Sequence, residues 1–303
     1  MNTTTRTLAL AFALTSLPAL AGRHGFHQGD GLNISTSGAP RSCADIKVRF
    51  GSRDVVREEQ SFTVPGSVRT FRLDSPASGG IVVTGFDGRD YSVTACKFAS
   101  SDSALRALAV TTTGGEVTVS EPGDETSGIY FLVKAPRNAS LDLSATNGPM
   151  SITDVTGDLT LRMENGPLSL KNVHGKVEAR TVNGPIGFSG GSGDWKVRAE
   201  NGPVTAHLSG RRWDGGELVA DAVNGPVTLR VDPEFESGIR VERTESSPFA
   251  CRAAVCGESR RRDRDRSERT IELGSGTAVV KLRATNGPIS IRDGAARPER
   301  DDE

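Results

Sequence analysis

The 303-residue sequence predicts an all-β fold: a single-stranded, parallel β-helix-like β-solenoid with coils of about 18 residues. Three observations carry that prediction. The triplet Asn-Gly-Pro begins at Asn147, Asn165, Asn183, Asn201, Asn224 and Asn286, with gaps of 18, 18, 18, 23 and 62 residues. Between triplets the side chains alternate with a period of two, the period of a strand rather than a helix. Aromatic residues are only 5% of the chain and glycines number 35, which suits short strands and tight turns better than a bulky core.

Taken in chain order, residues 1–21 read as a signal peptide. They hold Arg6, an apolar run from Leu8 and a small-x-small cleavage site at Ala19-Leu20-Ala21. The run is short for a membrane span, and no later segment is apolar enough for one. The mature chain is therefore expected in the periplasm or outside the cell, without a transmembrane segment. No cysteine stands directly after the cleavage site, where Gly22 lies, so no lipid anchor is expected. Residues 22–40 are polar and Gly/Ser-rich and predict a flexible leader. Residues 41–137 carry weaker strand-Gly-strand echoes, at 78–96 and 107–123, and read as an N-terminal β region of degenerate coils. The repeats proper span 138–293, broken by an insertion at about 234–270, and the tail 294–303 reads as disordered.

Within the unit ENGPLSLKNVHGKVEARTVNGP (164–185), Leu168 and Leu170 alternate with Ser169 and Lys171. A turn at His174-Gly175 is expected next, then Val177, Ala179 and Thr181 alternate with Glu178, Arg180 and Val182. Two, four and six residues before successive Asn the positions are almost all apolar, as in Met163, Leu161 and Leu159, so they are expected to face inward. Each Asn shares that parity, which predicts an inward amide. Such an amide needs a partner, since an unpaired buried one costs roughly 1–3 kcal/mol. Coils stacked at the interstrand spacing of about 4.8 Å supply it as an amide ladder. Gly permits a backbone closed to other residues, and Pro fits the corner before the next strand. The alternative is an antiparallel meander with Asn-Gly hairpin turns. Pro directly after Asn-Gly argues against it, because the residue before Pro avoids the backbone angle such a turn needs.

Export permits disulfides, and Cys43, Cys96, Cys251 and Cys256 allow three pairings. Proximity favours Cys251–Cys256 and, by elimination, Cys43–Cys96. Zinc binding by the four thiolates is the rival, but no CxxC pair is present. The formal net charge of −1 offers no global field for nucleic acid.

The stretch YFLVKAPRNASLDLSATNGPMSITDVTGDLTLRMENGPLSL resembles a family of bacterial envelope proteins built of β-strand repeats, labelled "putative adhesin" or domain of unknown function. The resemblance covers about residues 66–293 outside the insertion. It implies a β-solenoid and no catalytic residues. Pro149, Pro167, Pro185, Pro203, Pro226 and Pro288 stand where relatives more often carry Ser, Asp or Thr.

Among outward positions, Arg162, Arg180 and Arg198 fall three residues before successive Asn, and stacking would set them about 5 Å apart. Such a column could grip phosphate, sulfate or carboxylate on an anionic envelope polymer. Glu164, Glu178, Lys196 and Glu200 flank it, and the other reading is a solvated ion network. The run from Arg260 to Arg266 has the same two readings, polyanion contact or solvated loop. Cleavage after Ala21 would expose Gly22-Arg23-His24, a donor set that suits square-planar Cu(II) or Ni(II) through His24. For catalysis, His174 and His207 show no nucleophile or carboxylate partner in sequence, and no motif implies a cofactor. Asp154 and Asp158 read as turn residues. The expectation is a non-enzymatic, adhesin-like or structural binding protein of the cell envelope, its polymer or protein partner unknown. A polysaccharide lyase or hydrolase on the same scaffold is the alternative, though no acidic pair repeats on neighbouring coils.

Overall fold

The computed structural model describes residues 32–36, 38–51, 55–120, 126–261 and 269–294. The fold is all-β: among the described residues 21 strands form one large mixed sheet and two more form a small antiparallel one. The expected signal peptide, most of the expected leader, His24, residues 262–268 and the tail beyond Gly294 lie outside the described residues.

Two parallel ladders make up most of the large sheet. The long ladder stacks Leu141–Asn147, Thr156–Asn165, His174–Asn183, Ser192–Asn201 and Leu218–Asn224. The short ladder stacks Met150–Thr153, Leu168–Lys171, Ile186–Ser189, Val204–Leu208 and Val227–Val231. Registers follow the sequence period, with Leu161 beside Ala179 and Ala179 beside Val197. Alternation then sends every second side chain into a core that both ladders share. Leu159, Leu161, Met163, Leu168 and Leu170 are each at most 2% exposed within that one cluster, and each is worth about 1.5–3 kcal/mol in burial.

The corner between the ladders is where the triplet acts. Asn165 donates from Nδ2 to Asn147 Oδ1 at 3.1 Å, and Asn183, Asn201, Asn224 and Asn286 each donate to the preceding Asn at 2.9–3.1 Å. The ladder is unbroken across all six. Its amides, however, sit at the surface rather than inside; five of the six are exposed and Asn165 is half-buried. Strand parity ends at the corner, where the chain turns away from the core before Pro. The backbone bonds at the same step run the other way, Gly148 N–H donating to Asn165 O at 2.9 Å. Side-chain and main-chain amides thus clamp each pair of coils from opposite directions. Glycine is required by close approach: a Cβ on Gly184 would lie 2.1 Å from Gly166 O.

The return corner lies one or two residues earlier than the expected His174-Gly175 turn, since both of these residues begin the strand His174–Asn183. Asp154 and Asn172 turn the chain instead, with φ of 58° and 50°, a region that short polar side chains tolerate. Asn172 Nδ2 also donates to Asp154 Oδ1 at 3.0 Å.

Spatial order departs from chain order at both ends. Ala278–Asn286 and Ile289–Asp293 pair with Leu218–Asn224 and Val227–Val231 on one side. On their other side lie Gly238–Arg243 and Phe249–Cys251. The 62-residue gap between Asn224 and Asn286 therefore closes in space, and the stretch 234–270 supplies a strand pair to the stack rather than a mere insertion. Its corner uses Pro248, whose carbonyl accepts from Ile289 N–H at 2.8 Å as Pro167 accepts from Met150. The hydroxyls of Thr244 and Ser247 donate to Thr285 O there, where Asn is missing.

At the opposite end Phe71–Phe86 contributes to both ladders in one piece, pairing at Phe71 with Leu141 and at Ile81 with Met150. Beyond it come Ser127–Pro136, parallel, then Tyr91–Ala99 and Val56–Val64, antiparallel. Residues 78–96 are thus divided between two strands that do not pair. Residues 107–123 hold an antiparallel hairpin, Val110–Thr113 with Glu116–Val119, turning on Gly114 and Gly115 at φ of 58° and 92°. Neither echo forms a coil. Part of the expected leader is ordered too, because Leu32–Thr36 pairs antiparallel with Ile46–Phe50 over the outer face of this end. Cys43–Cys96 fastens that small sheet, with Cα atoms 5.5 Å apart, and Cys251–Cys256 closes the far end at 5.9 Å.

The corner sets a rank order of substitutions. Gly184→Ala should lower unfolding free energy by at least about 2 kcal/mol, through backbone collision. Asn183→Ala should cost about 1 kcal/mol, since water can replace its exposed bonds; urea unfolding of both variants checks the order. Thr181 is fully buried between Met163 and Ala199 with its hydroxyl unpaired. Thr181→Val should therefore raise the urea midpoint, by about 1 kcal/mol in stability.

Candidate functional site

In-register stacking turns each outward position into a row along the stack. On the long ladder, Arg162, Arg180 and Arg198 are neighbours as the repeat requires. Each meets a carboxylate: Arg162 Nη1 lies 2.7 Å from Asp142 Oδ1, Arg180 pairs with Glu200 and Arg198 with Asp221. Arg283, one strand beyond Asp221, lies 2.7 Å from Glu242, and Lys281 lies 2.5 Å from Glu217. This face is an ion network, the second of the two readings its sequence allowed, and its guanidinium groups are already engaged.

The outer face of the short ladder differs in kind. Nearest the corner runs the proline row, from Pro149 to Pro288. Next comes a row of small side chains, Ser151, Ser169, Gly187, Thr205, Thr228 and Ser290. The third row is Thr153, Lys171, Ser189, His207, Arg230 and Arg292, extended through Thr84 to Lys134. No carboxylate falls in these rows. Lys171, Arg230 and Arg292 have no ion-pair partner among the described residues, although Arg230 and Arg292 are strand neighbours about 4.8 Å apart. Carboxylates at the return corner are held locally, where Asp154 accepts from Asn172 Nδ2, Asp232 from Gly210 N–H and Asp293 from Ala254 N–H. Sequence reasoning fixed on three arginines at one spacing. The second cationic row was harder to find because Ser189 and His207 interrupt it.

A cavity of about 550 Å³ opens where the repeat is lengthened, lined by His174, Ser192, Ser209, Arg211, Arg212, Asp214 and Glu236. The five extra residues of this unit let Trp213 fold inward, where its ring meets Trp195 edge-on and its Nε1 donates to Gly193 O at 2.9 Å. His174 does have a hydroxyl partner, Ser192 Oγ at 2.9 Å from Nδ1. The main-chain N–H groups of Ser192 and Gly193 are committed to Val173 O and Asp214 O, so neither is spare to stabilise an oxyanion. Glu236 bonds to Arg211, with Arg212 3.6 Å away, and these guanidiniums hold its carboxyl below the usual carboxylate range. A carboxyl so held is poorly suited to act as a general acid. His207 is half-buried on the short-ladder face.

No family model matches the chain, and no curated protein is similar to it in sequence. Among solved structures it is similar to a "putative cell adhesion protein" from Clostridium sporogenes, at 12% identity and a TM-score of 0.35, covering 79% of this chain and 100% of that one. It is also similar to a "putative adhesin" from Bacteroides fragilis, at 11% identity and a TM-score of 0.24, covering 80% of this chain and 98% of that one. Both likenesses fall short of what a shared function requires, so function is read from this chain's own residues.

The cavity yields a prediction with a definite sign. Glu236 has a depressed folded pKa, so any stability from its pairing is present above the unfolded pKa and is lost as pH falls through the folded one. Arg211→Ala should move the Glu236 titration midpoint upward, measured by carboxyl-carbon NMR.

Proposed function

We propose that this chain is an exported, non-enzymatic β-solenoid, an adhesin-like binding protein of the bacterial cell envelope that works through the outer face of its short ladder. Parallel pairing at the 18-residue period supports the solenoid geometry. A signal-like segment at residues 1–21 and two disulfides support export. One observation carries the binding role: a continuous face with stacked cations and no carboxylate, on a chain whose other face mixes both signs and pairs its arginines with carboxylates. Leaving like charges adjacent and unpaired costs electrostatic energy, and an anionic partner recovers it. The adhesin names of the two structural neighbours agree with this reading without carrying it.

The long-ladder arginines serve as an internal control. Wild-type protein should be retained by isolated envelope material, and Lys171→Glu/Arg230→Glu/Arg292→Glu should not. Arg162→Ala/Arg180→Ala/Arg198→Ala should be retained as wild type is. Equal retention of both triple variants would overturn the assignment of the face. An enzyme on this scaffold would release new reducing ends or unsaturated uronate from acidic glycans, and none is expected.

A further inference from the structure

Gly187 is a glycine the fold does not ask for. It sits inside the strand Ile186–Ser189, beside Ser169 and Thr205 in the small-residue row. At the corner glycines an added Cβ would collide with main chain, as at Gly184, whereas at Gly187 it would meet no atom within 4 Å. Nor is Gly187 among the residues with positive φ. A glycine inside a strand gives up roughly 0.5–1 kcal/mol relative to alanine, and here no backbone constraint explains that loss. Its effect is a bare patch in the middle of the carboxylate-free face. Such a patch is where another molecule can come close to a strand.

We propose that this patch seats one sugar ring of an acidic, uronate-type polysaccharide lying along the stack axis; this rests on the binding role assigned to the short-ladder face. The chemistry around the patch favours a glycan. Ser151, Ser169 and Thr205 carry hydroxyls with no hydrogen-bond partner among the described residues, while Thr228 and Ser290 bond each other at 3.2 Å. Free hydroxyls flanking a flat gap match a ring that presents hydroxyls on its edges. Lys171 lies one strand before Ser189, and Arg230 lies two strands after it, in the row beside the patch. That row runs about 7 Å from the small-residue row, two residues along a strand. It can meet carboxylates projecting from one side of an extended chain. Coils about 4.8 Å apart also give a repeat comparable to the rise of successive sugars. The three rows hold no Phe, Tyr or Trp, so the large aromatic anchors typical of protein partners and the broad stacking platforms for nucleic-acid bases are both missing from them.

Binding of polygalacturonate and alginate to the mature chain by calorimetry, with neutral dextran and a single-stranded oligonucleotide alongside, tests the proposal. Both uronate polymers should bind and weaken as salt rises, while dextran should not bind and the oligonucleotide should bind at least about tenfold more weakly. Gly187→Val should leave the thermal midpoint unchanged or raised, because a β-branched residue suits an open strand position, yet weaken uronate binding at least about tenfold. Arg230→Ala/Arg292→Ala should weaken it comparably. Undiminished binding by folded Gly187→Val, or dextran or oligonucleotide binding as tight as uronate, would overturn the proposal. If envelope retention depends on the face but neither uronate polymer binds, the binding role stands and the ligand class falls. If retention is also indifferent to the face, both fall.

Discussion

One close approach organises the molecule: the glycine of each Asn-Gly-Pro corner lies against the carbonyl of the glycine before it, as Gly184 lies against Gly166. That contact admits no side chain and sets successive corners at strand spacing. Main-chain N–H groups reach forward to the next coil, and the Asn amides reach back to the previous one. The Asn amides are individually weak, because they sit at the surface, but together with the more sheltered main-chain bonds they leave a single register open. A one-residue slip would turn every inward leucine outward. The shared core therefore depends on the corner, and the corner on glycine.

Register then writes the chemistry of the surface. A residue type repeated every 18 positions becomes a row, and residues two apart become parallel rows. The long-ladder rows mix signs and neutralise themselves through Asp142, Glu200 and Asp221. The short-ladder rows hold prolines, small hydroxyl residues and cations, and among the described residues no carboxylate in those rows balances the charge. The two faces enclose the same core and differ only in what alternates outward.

The ends answer a different constraint. A stack of parallel strands leaves open edges that invite pairing with other chains. At one end antiparallel strands and the small sheet tied by Cys43–Cys96 take over from the repeat. At the other, the final repeat in sequence slips between its predecessor and Gly238–Arg243, and Thr270–Leu273 closes that edge antiparallel. The capping segments lack the triplet because they have no equivalent coil on their far side to match.

How far the residues alone reached follows from range. Alternation and the Asn-Gly-Pro period determined the strands of the repeat, their inward residues and the amide ladder from Asn147 to Asn201, since each is local or repeats at a fixed offset, and proximity with elimination gave the disulfide pairing. The side of the corner on which the amides lie was misjudged, because alternation ceases to apply where the chain bends. Only the tertiary structure decided that Asn286 stacks on Asn224 with no coil between, that Phe71–Phe86 serves both ladders, and that the arginine column is neutralised. Those outcomes depend on segments far apart in the chain and on where flexible charged side chains settle. Neither leaves a periodic trace for sequence to show.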